Sequence, residues 1–230
     1  MDEKKQISID AWNTIIMNNL DWAPRKCDLV REFFNIDATD TDIGSAQRKV
    51  KNHYEELVER YGIQPPLQIL FAEWLNNLGV ETTTLKITQF SLLYQKAIQD
   101  FPARPLEPST GSLLAQLSDK YAICLISNTL FTHSEAMLAW FDQMDWLKYF
   151  SSTRFSDKYG VSKPDSWIMS KLSTAHIGDN PATDGEAARR LNIPFIHVYG
   201  SSSNTLADAY KLLTGTEPAI FYNSSPVVAD

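Results

Sequence analysis

Four segments of the sequence place polar groups close behind apolar runs. They are Asp10-Ala11-Trp12-Asn13-Thr14, Ser127-Asn128-Thr129, Ser162-Lys163-Pro164-Asp165 and Gly178-Asp179-Asn180-Pro181-Ala182-Thr183-Asp184. If the apolar runs are strands of an open parallel sheet, the residues just past them meet at one edge, where such sheets bind ligands. Lys163 would reach this edge from a loop. The sequence therefore predicts one site that combines three carboxylates, a hydroxyl and a lysine.

This set of groups suits a phosphoryl group bound beside a divalent cation. Asp10 and Asp179 offer the hard oxygen ligands that Mg²⁺ prefers. Without a cation, the clustered carboxylates would repel one another and a phosphate dianion. Lys163 would neutralise charge on the phosphoryl oxygens, and the Ser127 hydroxyl would donate a hydrogen bond to them. Asp10 is then suited to act as a nucleophile that forms an aspartyl-phosphate.

The elements that must position these groups alternate between strand and helix. Apolar runs predict strands at 6–10, 121–126, 174–177 and 193–198, and residues 219–222 are a candidate for a fifth. Helical segments are predicted at 112–120, 134–146, 165–172 and 182–191. Continuous apolar runs are typical of strands buried on both faces, and their alternation with helices indicates a layered α/β domain.

The stretch from about residue 17 to residue 103 breaks this alternation. It predicts helices at 28–34, 43–61, 67–78 and 87–100, with N-terminal caps at 40–42 and 82–84 and glycine stops at 62 and 79. A crossover of this length is too long for a loop. We therefore predict a core domain from residues 1–17 and 104–230, interrupted by an all-helical cap subdomain at 18–103.

The order D-x-x-x-T, apolar-S-N-T, K-P and G-D-x-x-x-x-D resembles the haloacid dehalogenase superfamily of hydrolases. The resemblance runs from Ile7 to about Val198, and the helical insert lies where that family carries its cap. Each motif alone is common, but four in this order are specific. The resemblance implies an α/β fold, with a Rossmann-like three-layer core around a parallel sheet and an inserted all-helical cap.

The resemblance also implies a role for each motif residue. Asp10 would be the nucleophile, Lys163 would pair with the transferring group, and Thr14 and Ser127 would hydrogen-bond around the phosphoryl site. Mg²⁺ would be held by Asp10, the backbone carbonyl of Trp12 and Asp179, with Asp184 supporting it directly or through water.

Substrate contacts are expected from three further side chains. Asn128 follows the hydroxyl of the second motif, and Trp12 is as consistent with a place in the core as with a substrate contact. Arg25 follows the first motif in the first cap segment, where an arginine can reach a substrate anion. The expected substrate is a small phosphorylated molecule.

Two departures from the family pattern bear on activity. Family phosphatases usually have a second Asp two residues after the nucleophile, where it serves as general acid and base, and here that position is Trp12. An indole N–H cannot exchange a proton near neutral pH, and general acid–base catalysis is typically worth roughly 10²–10⁴-fold. The second departure is the short spacing between Lys163 and Asp179, which leaves room for one short helix.

Three functions follow from these features. The first is a weakened Mg²⁺-dependent phosphohydrolase or phosphotransferase that prefers good leaving groups. The second is a catalytically impaired binding protein that keeps the phosphoryl pocket. The third is a 2-haloacid dehalogenase, which in this family also lacks the second Asp; however, such enzymes need no metal and carry S-x-N where this chain has Gly178-Asp179-Asn180.

Composition excludes several other classes of protein. A net charge of −7 and a pI near 5.1 give no general attraction to nucleic acid or anionic lipid. No apolar stretch approaches the length that spans a membrane, and the first residues do not resemble a signal peptide. Two cysteines are too few for a disulfide framework. We expect a cytoplasmic protein, a monomer or homodimer, with no nucleic-acid or membrane partner.

Overall fold

A five-stranded parallel sheet lies at the centre of the computed structural model, which describes residues 4–199 and 204–217. The strands are, in chain order, β1 (Gln6–Ile9), β2 (Ile16–Met17), β3 (Arg104–Pro105), β4 (Ala122–Ser127), β5 (Phe150–Phe155), β6 (Ser173–Gly178) and β7 (Phe195–His197). The large sheet has the order β5-β4-β1-β6-β7, while β2 and β3 form a separate antiparallel pair. Because β1 is central, the residue that follows it lies between the ends of β4 and β6.

The predicted parallel sheet is confirmed, and its inner strands are apolar because helices cover both faces. Ile7 and Ile9 of β1 are fully buried, as are Ile123 and Leu125, which lie opposite them on β4. Strand β5 was not predicted, since its sequence FSSTRF is largely polar. It pairs only with β4, and an edge strand tolerates such polarity. The candidate strand at 219–222 lies outside the described residues.

Helices alternate with these strands. They are α1 (Trp22–Phe34), α2 (Asp40–Tyr61), α3 (Leu67–Asn77), α4 (Thr84–Ala97), α5 (Thr110–Lys120), α6 (Ser134–Gln143), α7 (Ser156–Tyr159), α8 (Glu186–Arg190) and α9 (Leu206–Thr214). A π-helical turn, Pro181–Gly185, leads into α8 within the segment predicted as helix 182–191.

The helix predicted at 165–172 is wrong, because this segment is a series of turns. The Asp165 carboxylate accepts a hydrogen bond from the backbone N–H of Trp167 at 2.8 Å, and Ser170 makes a similar local bond to Leu172. Such side-chain bonds offer the backbone an alternative to the helix. Ile168 in this segment is fully buried, so the turns still cover the sheet beside Ile126.

Helices α1–α4 form the cap between β2 and β3. Thr39 and Asp42 make a reciprocal capping box at the start of α2, and Thr83 caps α4, so the caps lie within one residue of the predicted segments. An aromatic cluster fills the cap interior, in which Trp74 and Phe90 are fully buried. The helical cap is therefore confirmed, while the exact domain boundaries stay a prediction.

Two of the connections between the cap and the core lie at the cap's ends and at the loop that carries Lys163. Strands β2 and β3 pair where the chain leaves the core and returns to it. The second connection is Gly62, which ends α2 in the left-handed conformation (φ +66°) and accepts a hydrogen bond from Ser162 N–H at 2.8 Å. A Cβ on Gly62 would come within 2.8 Å of Asp165 Cβ. Only glycine therefore allows the cap to approach the loop that carries Lys163 this closely.

No helix in residues 4–199 and 204–217 combines the length and the apolar character needed to cross a membrane.

Candidate active site

Asp10 occupies the position directly after the central strand. Its backbone N–H continues the sheet by donating to Ile177 O at 2.9 Å, and its side chain is buried. Asn13 then adopts a left-handed conformation (φ +55°) that turns the chain. Thr14 consequently folds back, and its hydroxyl donates to Asp10 Oδ2 at 3.3 Å. The D-x-x-x-T spacing thus brings its two polar ends together.

Lys163 bridges two carboxylates at the centre of the site. Its Nζ lies 2.5 Å from Asp10 Oδ1 and 2.6 Å from Asp184 Oδ1, and it also donates to Ile126 O at 3.1 Å. The three charged side chains are 2–7% exposed. A buried ammonium held between two carboxylates is a preorganised positive charge beside the predicted nucleophile.

Asn128 positions the loop that carries Lys163. Its amide donates to Lys163 O at 2.9 Å, and its carbonyl accepts from Lys163 N–H at 2.7 Å. The preceding residue, Ser127, is fully buried at the end of β4, and its hydroxyl makes only a long contact of 3.4 Å with Asn128 O. The second motif therefore ties the third motif to the sheet.

Asp184 is held by a chain of buried hydrogen bonds. His176 Nε2 lies 2.9 Å from Asp184 Oδ1, and Ser8 Oγ lies 2.9 Å from His176 Nδ1. Asn180 N–H donates to the other carboxylate oxygen at 3.1 Å. A Cβ at position 178 would lie 2.4 Å from Asp184 Cγ, so the glycine of the fourth motif is required by this close approach.

Asp179 lies nearer the surface than the other two carboxylates. Asn13 Nδ2 donates to its Oδ2 at 3.3 Å, and its backbone carbonyl accepts a bond from His197 Nε2 at 2.8 Å. Oxygens of Asp10, Asp179 and Asp184 all lie within 4.8 Å of one another. Three carboxylates this close are the hard ligand set that Mg²⁺ takes.

The charges of the cluster are unbalanced without a cation. Burial raises the pKa of Asp10 to about 7 despite the opposing effect of Lys163. Burial and the Asp184 charge likewise raise the pKa of Asp179. Lys163 outweighs the effect of burial on Asp184, whose pKa falls well below its usual range. Burial lowers the pKa of His176, so this ring does not add a positive charge at neutral pH.

The donor set fits a divalent cation. Three ionised carboxylates against the single ammonium of Lys163 leave two negative charges, the charge that Mg²⁺ offsets. Both oxygens of Asp184 already accept hydrogen bonds, from Lys163, His176 and Asn180. Asp10 and Asp179 retain more capacity to accept a metal ion, so Asp184 is better suited to support it from behind.

A cavity of about 610 Å³ lies between this cluster and the cap. Its floor includes Asp10, Asn128, Lys163, Asp179 and Asp184, and its roof comes from α1, α2 and α4. Trp12 lies half-buried in the wall and packs edge-to-face on Trp140, with the ring centroids 6.1 Å apart. The resemblance predicts a proton donor to the leaving group at position 12, and the indole takes its place.

Most predicted site residues meet in this cavity or touch one that does. Trp12 and Asn128 line it together with the floor carboxylates and Lys163, and Thr14 touches Asp10. Arg25 does not line it, and its guanidinium pairs with Glu32 at 3.1 Å. The structure therefore does not bring Arg25 to the cavity, and its substrate contact stays a prediction.

Sequence reasoning missed several contributors to the site. Ser8 and His176 lie inside strands, where nothing in their spacing marks them as partners of Asp184. Lys26 and Gln47 of the cap also line the cavity. For Ser8 and His176, the only signal in the sequence was the alternation of strands and helices, which predicts a parallel sheet in which β1 and β6 can be neighbours.

Solved structures share this architecture. The HAD-hydrolase-type protein YfnB from Bacillus subtilis, solved bound to magnesium, superposes with a TM-score of 0.63 and 15% identity over 84% of this chain and 88% of its own. A Thermotoga maritima protein assigned as a β-phosphoglucomutase gives 0.63 and 14% over 92% and 99%. The L-2-haloacid dehalogenase from Xanthobacter autotrophicus, with chloropropionic acid covalently bound, gives 0.56 and 15% over 93% and 84%.

These likenesses confirm the predicted fold, the haloacid dehalogenase fold with a helical cap. At identities of 14–15% they carry no further information about activity. No protein-family model and no curated protein matches the sequence.

Proposed function

We propose that this chain is a Mg²⁺-dependent phosphohydrolase or phosphotransferase that acts on a small phosphorylated metabolite through an aspartyl-phosphate on Asp10. The observation that carries the proposal is the carboxylate of Asp10, buried in the cavity floor against Lys163 and beside Asp179 and Asp184. The fold adds support, because YfnB, which shares it, was solved with magnesium.

Asp10, Asp179 and the backbone carbonyl of Trp12 would hold Mg²⁺, with Asp184 supporting them. When bound, the cation supplies positive charge that offsets the repulsion between the carboxylates and a phosphoryl dianion. Asp179 is oriented for this role by Asn13, and Asp184 is oriented by His176 and by the Asn180 backbone.

The residues of the chain divide the phosphoryl transfer between them. An Asp10 oxygen forms a bond to phosphorus while the bond from phosphorus to the leaving oxygen breaks. Lys163 stabilises the charge on the transferring oxygens, and Thr14 holds Asp10 Oδ2 in place. Water then attacks the aspartyl-phosphate, the bond between Asp10 and phosphorus breaks, and inorganic phosphate leaves.

Trp12 limits this reaction at the protonation steps. The leaving oxygen needs a proton in the first step, and the attacking water must lose one in the second. An indole can do neither near neutral pH. The chain should therefore prefer acyl or aryl phosphates, whose leaving oxygens need no proton.

The experiment is phosphate release from acetyl phosphate and p-nitrophenyl phosphate, with Mg²⁺ and with a chelator. Wild type is compared with Asp10→Asn and with the control Asp119→Asn, which changes an exposed carboxylate on α5. Turnover that needs the metal and Asp10 but not Asp119 supports the proposal. Activity that survives the chelator or Asp10→Asn overturns it.

A second function is favoured by Trp12, which fills the acid position while leaving the charged cluster complete. In that case the chain binds a phosphorylated ligand without turning it over. A folded protein that releases no phosphate, yet binds Mg²⁺ together with beryllofluoride, would establish this function. Loss of both ions' binding in Asp10→Asn would assign them to the same site.

A 2-haloacid dehalogenase is a weaker alternative. Its support is the shared fold of the Xanthobacter autotrophicus enzyme, whose structure contains covalently bound chloropropionic acid. Asp179 argues against it, because a third carboxylate beside the nucleophile repels an anionic haloacid when no metal is present. Halide release from 2-chloropropionate in the presence of a chelator would decide for the dehalogenase.

A further inference from the structure

Besides Lys51, Glu55 and Glu59 of α2, three polar residues of the cap helices line the cavity. Lys26 of α1, Gln47 of α2 and Tyr94 of α4 form this group, which we call the cap cluster. The Lys26 ammonium donates to Gln47 Oε1, and Gln47 Nε2 lies 3.5 Å from the Tyr94 hydroxyl. Gln47 is 9% exposed and Tyr94 is 2% exposed. Their polar ends are therefore withdrawn from bulk water but open to the cavity.

Lys26 differs from the other lysines that line the cavity in lacking a carboxylate partner. Lys163 is paired with Asp10 and Asp184, and Lys51 is paired with Glu55 at 3.4 Å. Within the described ranges, 4–199 and 204–217, Lys26 makes no ion pair. Its ammonium donates to a neutral amide oxygen of Gln47. This bond satisfies one of the three N–H donors but does not neutralise the charge.

A partly buried ammonium of this kind destabilises the fold unless another group compensates its charge. Burial lowers the pKa of Lys26, and the nearby charges of Arg48 and Lys51 lower it further. Half-buried cations without a counter-ion are unusual in the absence of a ligand. The side of Lys26 that faces the cavity is thus the place where an anion would be most stabilised.

We propose that the cap cluster binds a second anionic group, a carboxylate or a phosphate, on the same small molecule whose phosphoryl group is held at Asp10. This inference rests on the proposed function and names its substrate class, a phosphorylated metabolite that carries a second acid at its other end. Lys26 supplies the charge, while Gln47 and Tyr94 supply hydrogen bonds.

The size and charge of the cavity agree with this class of substrate. A volume of about 610 Å³ is in the range of small-molecule sites. Cations lie in both the floor and the roof: Lys163 is in the floor, and Lys26 is in the roof, where Lys51, Glu55 and Glu59 also line the cavity. A molecule with an anion at each end would therefore match the cavity, whereas a simple alkyl phosphate would leave Lys26 without a partner.

The test compares three probes that share a phosphorylated CH₂ group. Phosphoglycolate ends in a carboxylate, ethylene glycol bisphosphate ends in a phosphate, and ethyl phosphate ends in a methyl group. Calorimetry with Mg²⁺ gives their dissociation constants for wild type, Lys26→Met, Lys26→Arg and the control Lys86→Met, which changes an exposed cap lysine outside the cavity.

One or both probes that carry a second anionic group should bind wild type about 10- to 100-fold more tightly than ethyl phosphate, as expected for charge-assisted hydrogen bonds. The stronger of the two identifies the second group as carboxylate or phosphate. Lys26→Met should abolish this preference, measured as the ratio of the dissociation constants, Lys26→Arg should keep part of it, and Lys86→Met should keep all of it.

Equal binding of all three probes by wild type, or an unchanged preference in Lys26→Met, would overturn the inference. Melting temperatures of the variants, read in the same samples, identify any that is unfolded, and Lys26→Gln then takes the place of Lys26→Met. The measurement is one of binding, so it separates the two proposals. If the chain prefers probes with a second anionic group but turns nothing over, only the proposed hydrolase activity is refuted. If it turns over acetyl phosphate but shows no such preference, only the proposed role of the cap cluster is refuted.

Discussion

Replacement of Lys163 by methionine tests whether the buried charge cluster is organised as described. Methionine keeps most of the length of the lysine stem, so the main loss is the ammonium. The carboxylates of Asp10 and Asp184, 7% and 2% exposed, would then face each other without the cation between them. Removal of one partner from a buried ion pair typically costs about 3–5 kcal/mol of unfolding free energy. We expect a loss in this range at pH 8 in the presence of a chelator.

The loss should shrink as the pH falls. Burial already raises the pKa of Asp10 to about 7, well above its value of roughly 3.9 in an unfolded chain, and removal of Lys163 raises it further. A carboxyl with a raised folded-state pKa stabilises the fold fully only below its unfolded-state pKa, and this stabilisation is lost as the pH rises through the folded-state pKa. Each pH unit in which the folded state binds one extra proton changes stability by about 1.4 kcal/mol. Lys163→Met should therefore be markedly less destabilised at pH 6 than at pH 8.

The assay is urea denaturation at pH 6 and pH 8, followed by circular dichroism, with chelator throughout. Lys158→Met is the matched control, because Lys158 is more than half exposed and pairs with the exposed Glu135. Such surface pairs contribute roughly 0–1 kcal/mol, so this variant should lose little at either pH. The reasoning is refuted if Lys163→Met loses no more than Lys158→Met, or if its loss is greater at pH 6.

Three further predictions concern catalysis, metal binding and the cap. Trp12→Asp should raise turnover of alkyl phosphates by roughly 10²-fold or more relative to acetyl phosphate, because it restores a proton donor. Steady-state kinetics on both substrates measure the ratio of the two turnover rates. An unchanged ratio would show that the indole does not limit the reaction. Since the pKa of Asp10 is about 7, the affinity for Mg²⁺ should fall below pH 7. Calorimetric titration at pH 6, 7 and 8 measures this affinity, and a constant value would contradict the prediction. Trp74→Phe removes the hydrogen bond from Nε1 to Ile43 O at 3.0 Å and leaves that buried carbonyl with one bond fewer. The free energy of unfolding, measured by urea denaturation, should fall by about 1–3 kcal/mol. A change below about 0.5 kcal/mol would show that the bond contributes little.

Local patterns in the chain were enough to predict four of the five strands of the large sheet and the cap helices. The run before Asp10 is a strand whose two faces are both covered, and its buried residues Ile7, Ser8 and Ile9 are mostly apolar. Gly62 ends α2 as predicted, since a left-handed residue is needed there. The motif residues were identified in the same way, because several of them lie at the end of a strand or directly after it, as Ser127, Asp10 and Asp179 do.

Where the sequence patterns failed, contacts that they do not reveal had overridden them. The segment 165–172 has helical spacing but forms turns, which bring Ile168 onto the sheet beside Ile126. Strand β5 reads as polar, yet its backbone pairs with β4 and its edge position leaves side chains in water. Arg25 was placed near a substrate by its position after the first motif, but its guanidinium pairs with Glu32 and it does not line the cavity.

By itself, the sequence determined which residues can do the chemistry and the order in which they meet the sheet, because polar side chains behind apolar strands are a local feature. Tertiary structure alone decided how they are held. Ser8 and His176 meet only because β1 and β6 are neighbours in register, and Lys26 faces the carboxylates only because the cap packs over them. Such contacts join residues far apart in the chain, and their formation depends on the packing of whole elements, which no short stretch of sequence encodes.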